Sequence, residues 1–243
     1  MNKRRLILHI FSLCEVNILR MLYIGKRYFS LFLLPTMLLL SSLYAHEVTH
    51  KLTDKIIVVD AGHGGVDTGA NRPGIREKDI NLAVALELKN VLNQYGAKVA
   101  LSRQTDIELS AECDNEKVRG RYHRDLMARV ELAEESDADI FVSIHSNAVA
   151  NTKRHGAEVF YYGKSESGKA LAAAIQAELH KITFTPPTAS AADYFVLRRN
   201  KIPAVLIEIG YITNSDERRL LQTADYQKKL AETIAAGICN YYQ

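Results

Sequence analysis

Two histidines and two glutamates in this chain have the side chains for hydrolytic chemistry and fall where one sheet edge would gather them: His63, Glu77, His145 and Glu208. His63 stands in Asp60-Ala61-Gly62-His63-Gly64-Gly65, directly after the apolar run 55–59. Glu77 lies in Gly74-Ile75-Arg76-Glu77-Lys78-Asp79-Ile80-Asn81, His145 follows the run 139–144, and Glu208 sits near the end of the run 204–209. In open α/β sheets, ligands gather at the carboxyl ends of the strands. Two imidazoles and a carboxylate form the ligand set of many catalytic zinc sites. Three protein ligands leave the fourth tetrahedral position to water, whose pKa zinc lowers to about 7. The remaining glutamate is then free to be a general base.

Each residue also has a plainer reading. His63 suits a turn, or a glycine-rich loop cradling phosphate, although the Gly-Lys-Ser/Thr ending of a phosphate loop is missing. A lone histidine at a strand end, such as His145, is commonly a satisfied polar residue, and Glu77 suits the first turn of a helix, where the dipole favours an acid. Glu208 resists such a reading, because a carboxylate inside the apolar stretch 205–209 is costly to bury unless it is paired or lies near a metal.

The elements that must position these residues read as alternating strands and helices. Continuous apolar runs at 55–59, 97–102, 139–144, 157–162, 194–197 and 204–209 predict strands, several of them covered on both faces. Apolar stripes of helical period predict helices over 79–95, 126–135, 167–182 and 226–242, the first carrying Ile80, Val84, Leu88 and Leu92 and stopped by Gly96. The pattern predicts an α/β fold in one domain, with a central mixed, mostly parallel sheet of about six strands and helices on both faces. The stretch 103–123 is polar and reads as unstructured, and 183–192, with two prolines, reads as a loop.

The 243 residues, 47% hydrophobic and 24% charged, suit one globular core and exclude a disordered, collagenous or disulfide-scaffold chain. The formal charge of +3 is uneven: 1–45 carries six basic residues against Glu15, a net of +5 that leaves −2 for the rest. The mature part therefore lacks the electrostatic footprint of a nucleic-acid binder. After Lys26 and Arg27 the run 28–44 has no charge and ends at Ala45, which predicts an export signal cut before His46, or a retained membrane anchor; Met21 is an alternative start. Residues 46–54 then read as a linker and 55–243 as the catalytic domain. Cys14 lies in the leader, leaving Cys113 and Cys239 as a possible pair or two separate thiols, and no Cys-x-x-Cys points to a thiolate metal site.

Four blocks in order, IIVVDAGHGGVDTGA, GIREKDINLAVALEL, ADIFVSIHSNA and IPAVLIEIGYITN, closely resemble the zinc-dependent N-acetylmuramoyl-L-alanine amidases of bacterial cell walls. The resemblance runs from about Lys55 to the C-terminus. It implies Zn²⁺ held by His63, Glu77 and His145, Glu208 as the catalytic glutamate, and a mixed sheet flanked by helices. It implies cleavage of the amide between N-acetylmuramic acid and L-alanine of the peptidoglycan stem peptide; with the leader, the chain is expected to work as an exported monomer of the periplasm or cell envelope. Asp60 and Asn147 are candidates to hold the two imidazoles in one tautomer, with ordinary loop capping the favoured reading. Arg198 is expected to meet a stem-peptide carboxylate, against a plain surface role.

Two departures stand out. Residues 111–123 look like an insertion, expected to be a solvated surface loop or else a flap facing substrate or a partner. Only 62 residues separate His145 from Glu208, too few for the site-plugging helix of some division-associated relatives, so the site is expected to be open without an activator. The competing enzyme is a zinc peptidase acting within the stem, since amide hydrolysis needs the same ligands. A serine carboxypeptidase is disfavoured because no Ser-x-x-Lys occurs and 163–167 misses the Gly-x-Ser-x-Gly elbow. A non-catalytic wall-binding module would not need all four residues.

Overall fold

The computed structural model describes residues 51–183 and 185–243, so the leader assigned to 1–45 lies outside the described residues. The apolar runs become strands β1 (Ile56–Ala61), β4 (Lys98–Leu101), β5 (Ile140–Asn147), β6 (Glu158–Tyr161) and β8 (Ala204–Tyr211). Together with β7 (Ser190–Ala191) they form one sheet in the order β4-β1-β5-β8-β6-β7. β4, β1, β5 and β8 run parallel, β6 pairs antiparallel with β8, and β7 is parallel to β6.

Period-two alternation then divides the core. Ile57, Val59, Val142, Ile144, Val205 and Ile207 face helices α1 (Glu77–Gln94), α3 (Glu166–Thr183) and α6 (Ala224–Tyr241), which contribute Leu88, Leu171, Ile175 and Ile234. Val58, Phe141 and Leu206 face the other way, onto Val130 and Ala133 of α2 (Arg121–Glu135) and Val196 and Leu197 of α4 (Phe195–Arg199). Among the described residues no helix is long and apolar enough to cross a membrane.

Three expectations are corrected. The run 194–197 is not a strand: Tyr194 precedes α4, whose Val196 and Leu197 are buried while Arg198 and Arg199 stay exposed. A four-residue apolar run is too short for its period to separate strand from helix. The sixth strand is β7, whose two exposed residues carry no apolar signal. Helix α2 starts at Arg121 rather than 126, because its first turn is polar. Unforeseen from the pattern are the hairpin of β2 (Asn71–Arg72) and β3 (Ile75–Arg76), and the short helix α5 (Ser215–Leu221), capped by Asn214 Oδ1, which accepts from the N–H groups of Asp216 and Glu217.

The segment 111–123 is mostly the exposed loop expected of it, with helix only from Arg121, but it is fastened at one point. Cys113 and Leu109 are buried against Ala128 of α2, with Val118 and Met127 packed around them. The Glu131 carboxylate accepts from the Asp114 N–H at 2.9 Å and the Asn115 N–H at 3.1 Å. The Arg124 guanidinium donates to the Ser110 and Cys113 carbonyls. Cys113 and Cys239 are both buried free thiols in different clusters, Cys239 belonging to the main core.

Candidate active site

The chain leaves β1 for β4 on one side and returns to β5 on the other, which opens a crevice at the carboxyl ends of β1 and β5. His63 follows β1 in a loop held open by two buried arginines. Arg103 donates to the carbonyls of Ala61 (3.0 Å) and Gly62 (3.1 Å), and Arg129 to those of Ala61 (2.9 Å) and His63 (3.0 Å). Both guanidiniums are about 2% exposed, and Arg129 is neutralised by Asp60 and Asp125. Burial works against the Asp60 carboxylate, but the Arg129 charge and a hydrogen bond from Ser143 outweigh it and lower its pKa. The grip holds His63 at a φ of +61°, a conformation disfavoured for a residue with a Cβ.

The β2–β3 hairpin delivers Glu77 as the first residue of α1. Glu77 Oε1 lies 3.1 Å from His63 Nε2 and 3.1 Å from His145 Nδ1. The same oxygen accepts from the Ser146 N–H (3.1 Å) and Asn81 Nδ2 (3.3 Å), while Oε2 accepts from the Ala70 N–H (2.8 Å). Burial favours the neutral acid, yet the hydrogen bonds with His145 and His63 outweigh it and hold Glu77 well below the usual carboxylate range. For His63 burial again opposes charge, but the Glu77 and Asp67 carboxylates carry it up to about 9. The ligand atoms of His63, Glu77 and His145 all lie within 4.8 Å of one another. Gly62 makes room for the cluster, since a Cβ there would stand 2.3 Å from His145 Nε2.

Glu208 arrives from β8, the strand next to that of His145. It is the register partner of His145 across β5 and β8, and its Oε2 is buried with no hydrogen-bond partner. Burial pushes its pKa up to about 7. Glu208 and the cluster line one cleft of about 360 Å³, walled further by Tyr122 and Leu126 of α2 and by Tyr194, Phe195 and Val196 at α4.

The fold thus brings His63, Glu77, His145 and Glu208 into one cleft. Asp60 bonds Arg129 and Ser143 rather than an imidazole, because it turns inward from β1 towards α2. The His63 ring is held instead by Asp67, whose Oδ2 is 2.9 Å from Nδ1 and whose Oδ1 accepts from the Gly69 N–H at 3.0 Å. Asn147 lines the cleft, and its carbonyl accepts from the Ile212 N–H. Arg198 pairs with Asp193 at 2.7 Å outside the cleft lining. Sequence reasoning missed Asp67, Asn81, Arg103 and Arg129. Only Asp67, four residues after His63 in the same glycine-rich loop, carried a local signal.

Comparison with known proteins decides the family. Residues 57–240 match the N-acetylmuramoyl-L-alanine amidase family model. The chain belongs to that family. Among relatives of this amidase, the germination-specific N-acetylmuramoyl-L-alanine amidase of Bacillus subtilis is 38% identical over 193 residues, covering 79% of this chain and 81% of the relative. The amidase AmiA of Escherichia coli is 28% identical over 235 residues, covering 77% and 76%. Among solved structures, the CwlD amidase of Clostridioides difficile, in complex with the GerS lipoprotein, superposes with a TM-score of 0.71 at 40% identity, covering 77% of this chain and 98% of that one. This chain is accordingly an enzyme acting on peptidoglycan, and its single α/β domain is the family's fold.

Proposed function

We propose that this amidase is zinc-dependent, with His63, Glu77 and His145 holding the ion and Glu208 acting as general base. One observation carries the reading: a three-donor cluster within 4.8 Å faces a buried carboxylate oxygen that has no hydrogen-bond partner. Two imidazole nitrogens and a carboxylate oxygen fit zinc, and the orientation of His63 by Asp67 is the usual support for such a ligand. When bound, zinc supplies Lewis-acid polarisation of the amide carbonyl and acidifies water. Glu208, with a pKa raised to about 7, is matched to accept a proton from the attacking water at Oε2. It then returns that proton to the departing nitrogen of L-alanine, so the lactyl carboxylate and the free amine leave as products.

Peptidoglycan lies outside the cytoplasm, so we read the chain as exported to the periplasm or cell envelope, working as a monomer that is either freed from its leader or anchored by it. The cleft lies between Tyr122 and Tyr194, both exposed, which supports activity without an added partner protein. The test is mass spectrometry of muropeptides incubated with the protein. Release of an intact stem peptide beginning at L-alanine, abolished by chelator and restored by zinc, is expected. Cleavage only within the stem, or activity indifferent to chelation, would overturn the reading.

A further inference from the structure

A second cavity, of about 290 Å³, opens beside the cleft between the 111–123 segment and α4. Phe195 belongs to both walls, and Tyr122 on the cleft is followed in sequence by His123 on the second cavity. The two hollows are therefore neighbours across one aromatic ring. Val118, Met127 and Phe195 give this cavity an apolar floor, Arg119, His123 and Arg199 give it a basic rim, and no acidic residue lines it.

Among the described residues the rim arginines have no carboxylate partner, a state they share with Arg72, Arg103, Arg124 and Arg218, which donate to backbone carbonyls. Arg76, Arg121, Arg129, Arg154, Arg198 and Arg219 each have a carboxylate partner. Arg199 has none among the described residues, and its guanidinium lies over the Phe195 ring at 5.5 Å. Among the described residues Arg119 donates to the Glu116 carbonyl, and the His123 ring meets Tyr122 edge-on. Helix α2, which supplies His123 and Met127 to the cavity, starts at Arg121 after Gly120, with no side-chain cap and no acid in its first turn. Two guanidiniums without carboxylate partners among the described residues and an imidazole line one cavity, which makes it a place for an anion.

We propose that this cavity is a subsite for a carboxylate of the stem peptide beyond the scissile amide. The proposal rests on the amidase reading. The cavity adjoins the cleft that must hold the L-alanine end, so the anion it meets is one tethered to the substrate. A stem peptide carries carboxylates along its backbone and at its end, and the apolar floor suits the aliphatic carbons between them. Two of the rim residues, Arg119 and His123, come from the inserted segment, which Glu131 and Arg124 fasten to α2. The insertion thus builds one wall of a peptide-reading extension.

The experiment compares kcat/KM of the zinc-loaded full chain on muropeptide pairs that differ only in one group. In one pair the second stem residue bears a free carboxylate or a carboxamide; in the other the stem's C-terminus does. At least one pair is expected to favour the carboxylate form by roughly tenfold, as a charge-assisted contact gives, and added salt is expected to erode the preference. The double variant Arg119→Ala/Arg199→Ala should bring the ratio to about one, while Arg219→Ala, removing a cation paired on α5, should keep it. A ratio measured within one preparation does not depend on how much of a variant is folded. Ratios of one in the wild type, or a preference that survives the double variant, would overturn the subsite while leaving the amidase intact. Protection of the cavity by inorganic phosphate with ratios of one would reassign it to a free anion. Failure of the wild type to cleave any of the four substrates would overturn the amidase reading itself, and the subsite with it.

Discussion

The two walls of the cleft each present a glutamate, and they treat it in opposite ways. On the β1–α1 side Glu77 is saturated, with both oxygens accepting backbone or side-chain hydrogens and two imidazoles 3.1 Å from Oε1. On the β8 side Glu208 keeps a buried Oε2 with no hydrogen-bond partner. The first environment lowers a carboxyl pKa and the second raises one to about 7. Identical side chains are thereby split into a permanent anion fit to hold a cation and a group able to gain and lose a proton near neutrality. The difference lies in the supply of donors: the glycine-rich loop, Asn81 and Ser146 crowd one wall, whereas Glu208 emerges from an apolar strand that offers it none.

That contrast predicts that damage to the braced wall is the more severe. Arg129→Met strips the cation from Asp60 and Asp125 and releases the carbonyls of Ala61 and His63. It is expected to cost about 3–5 kcal/mol of stability, read from the denaturant midpoint. Asp67→Asn should weaken zinc binding by roughly 10–100-fold in a competition titration, because it frees the tautomer and orientation of His63.

The unpartnered wall should respond to pH instead. Glu208 works as a base only when ionised, so kcat/KM should rise with pH through an acid limb, falling about tenfold per unit below it. That limb should lie at or below the value of about 7, since a cation at the neighbouring cluster lowers it further. The smallest effect concerns stability. Glu208 binds its proton more tightly in the fold, at about 7 against an ordinary 4.5, so its stabilisation is complete below 4.5 and is lost as pH rises through 7. Chelated wild type should therefore lose stability across that window relative to Glu208→Gln, as denaturant midpoints at several pH values would report.

The residues that meet in the cleft were legible because each follows a continuous apolar run, and buried parallel strands deliver whatever comes next to one edge. The supports were not. Arg103 reaches the His63 loop from the β4 exit and Arg129 from α2, each more than 40 residues from the carbonyls it holds, and in sequence neither carries a signal of that role. Asp60 precedes the histidine loop and invited a role beside the ring, yet the β1 pleat turns it towards α2 and leaves the ring to Asp67. The same limit explains α4: Tyr194-Phe195-Val196-Leu197 is apolar either way, and only packing against α2 and β8 makes it helical. It also separates Arg198, whose charge Asp193 satisfies, from Arg199, whose charge no carboxylate meets among the described residues.

The most direct test sets the two glutamates side by side. Zinc affinity and muropeptide turnover would be measured for wild type, Glu77→Gln and Glu208→Gln. Glu208→Gln should bind zinc as tightly as wild type while turnover falls by roughly 10²–10⁴-fold, and Glu77→Gln should lose zinc and turnover together. Loss of zinc from Glu208→Gln, or near-normal turnover in it, would contradict the division of labour between the two walls.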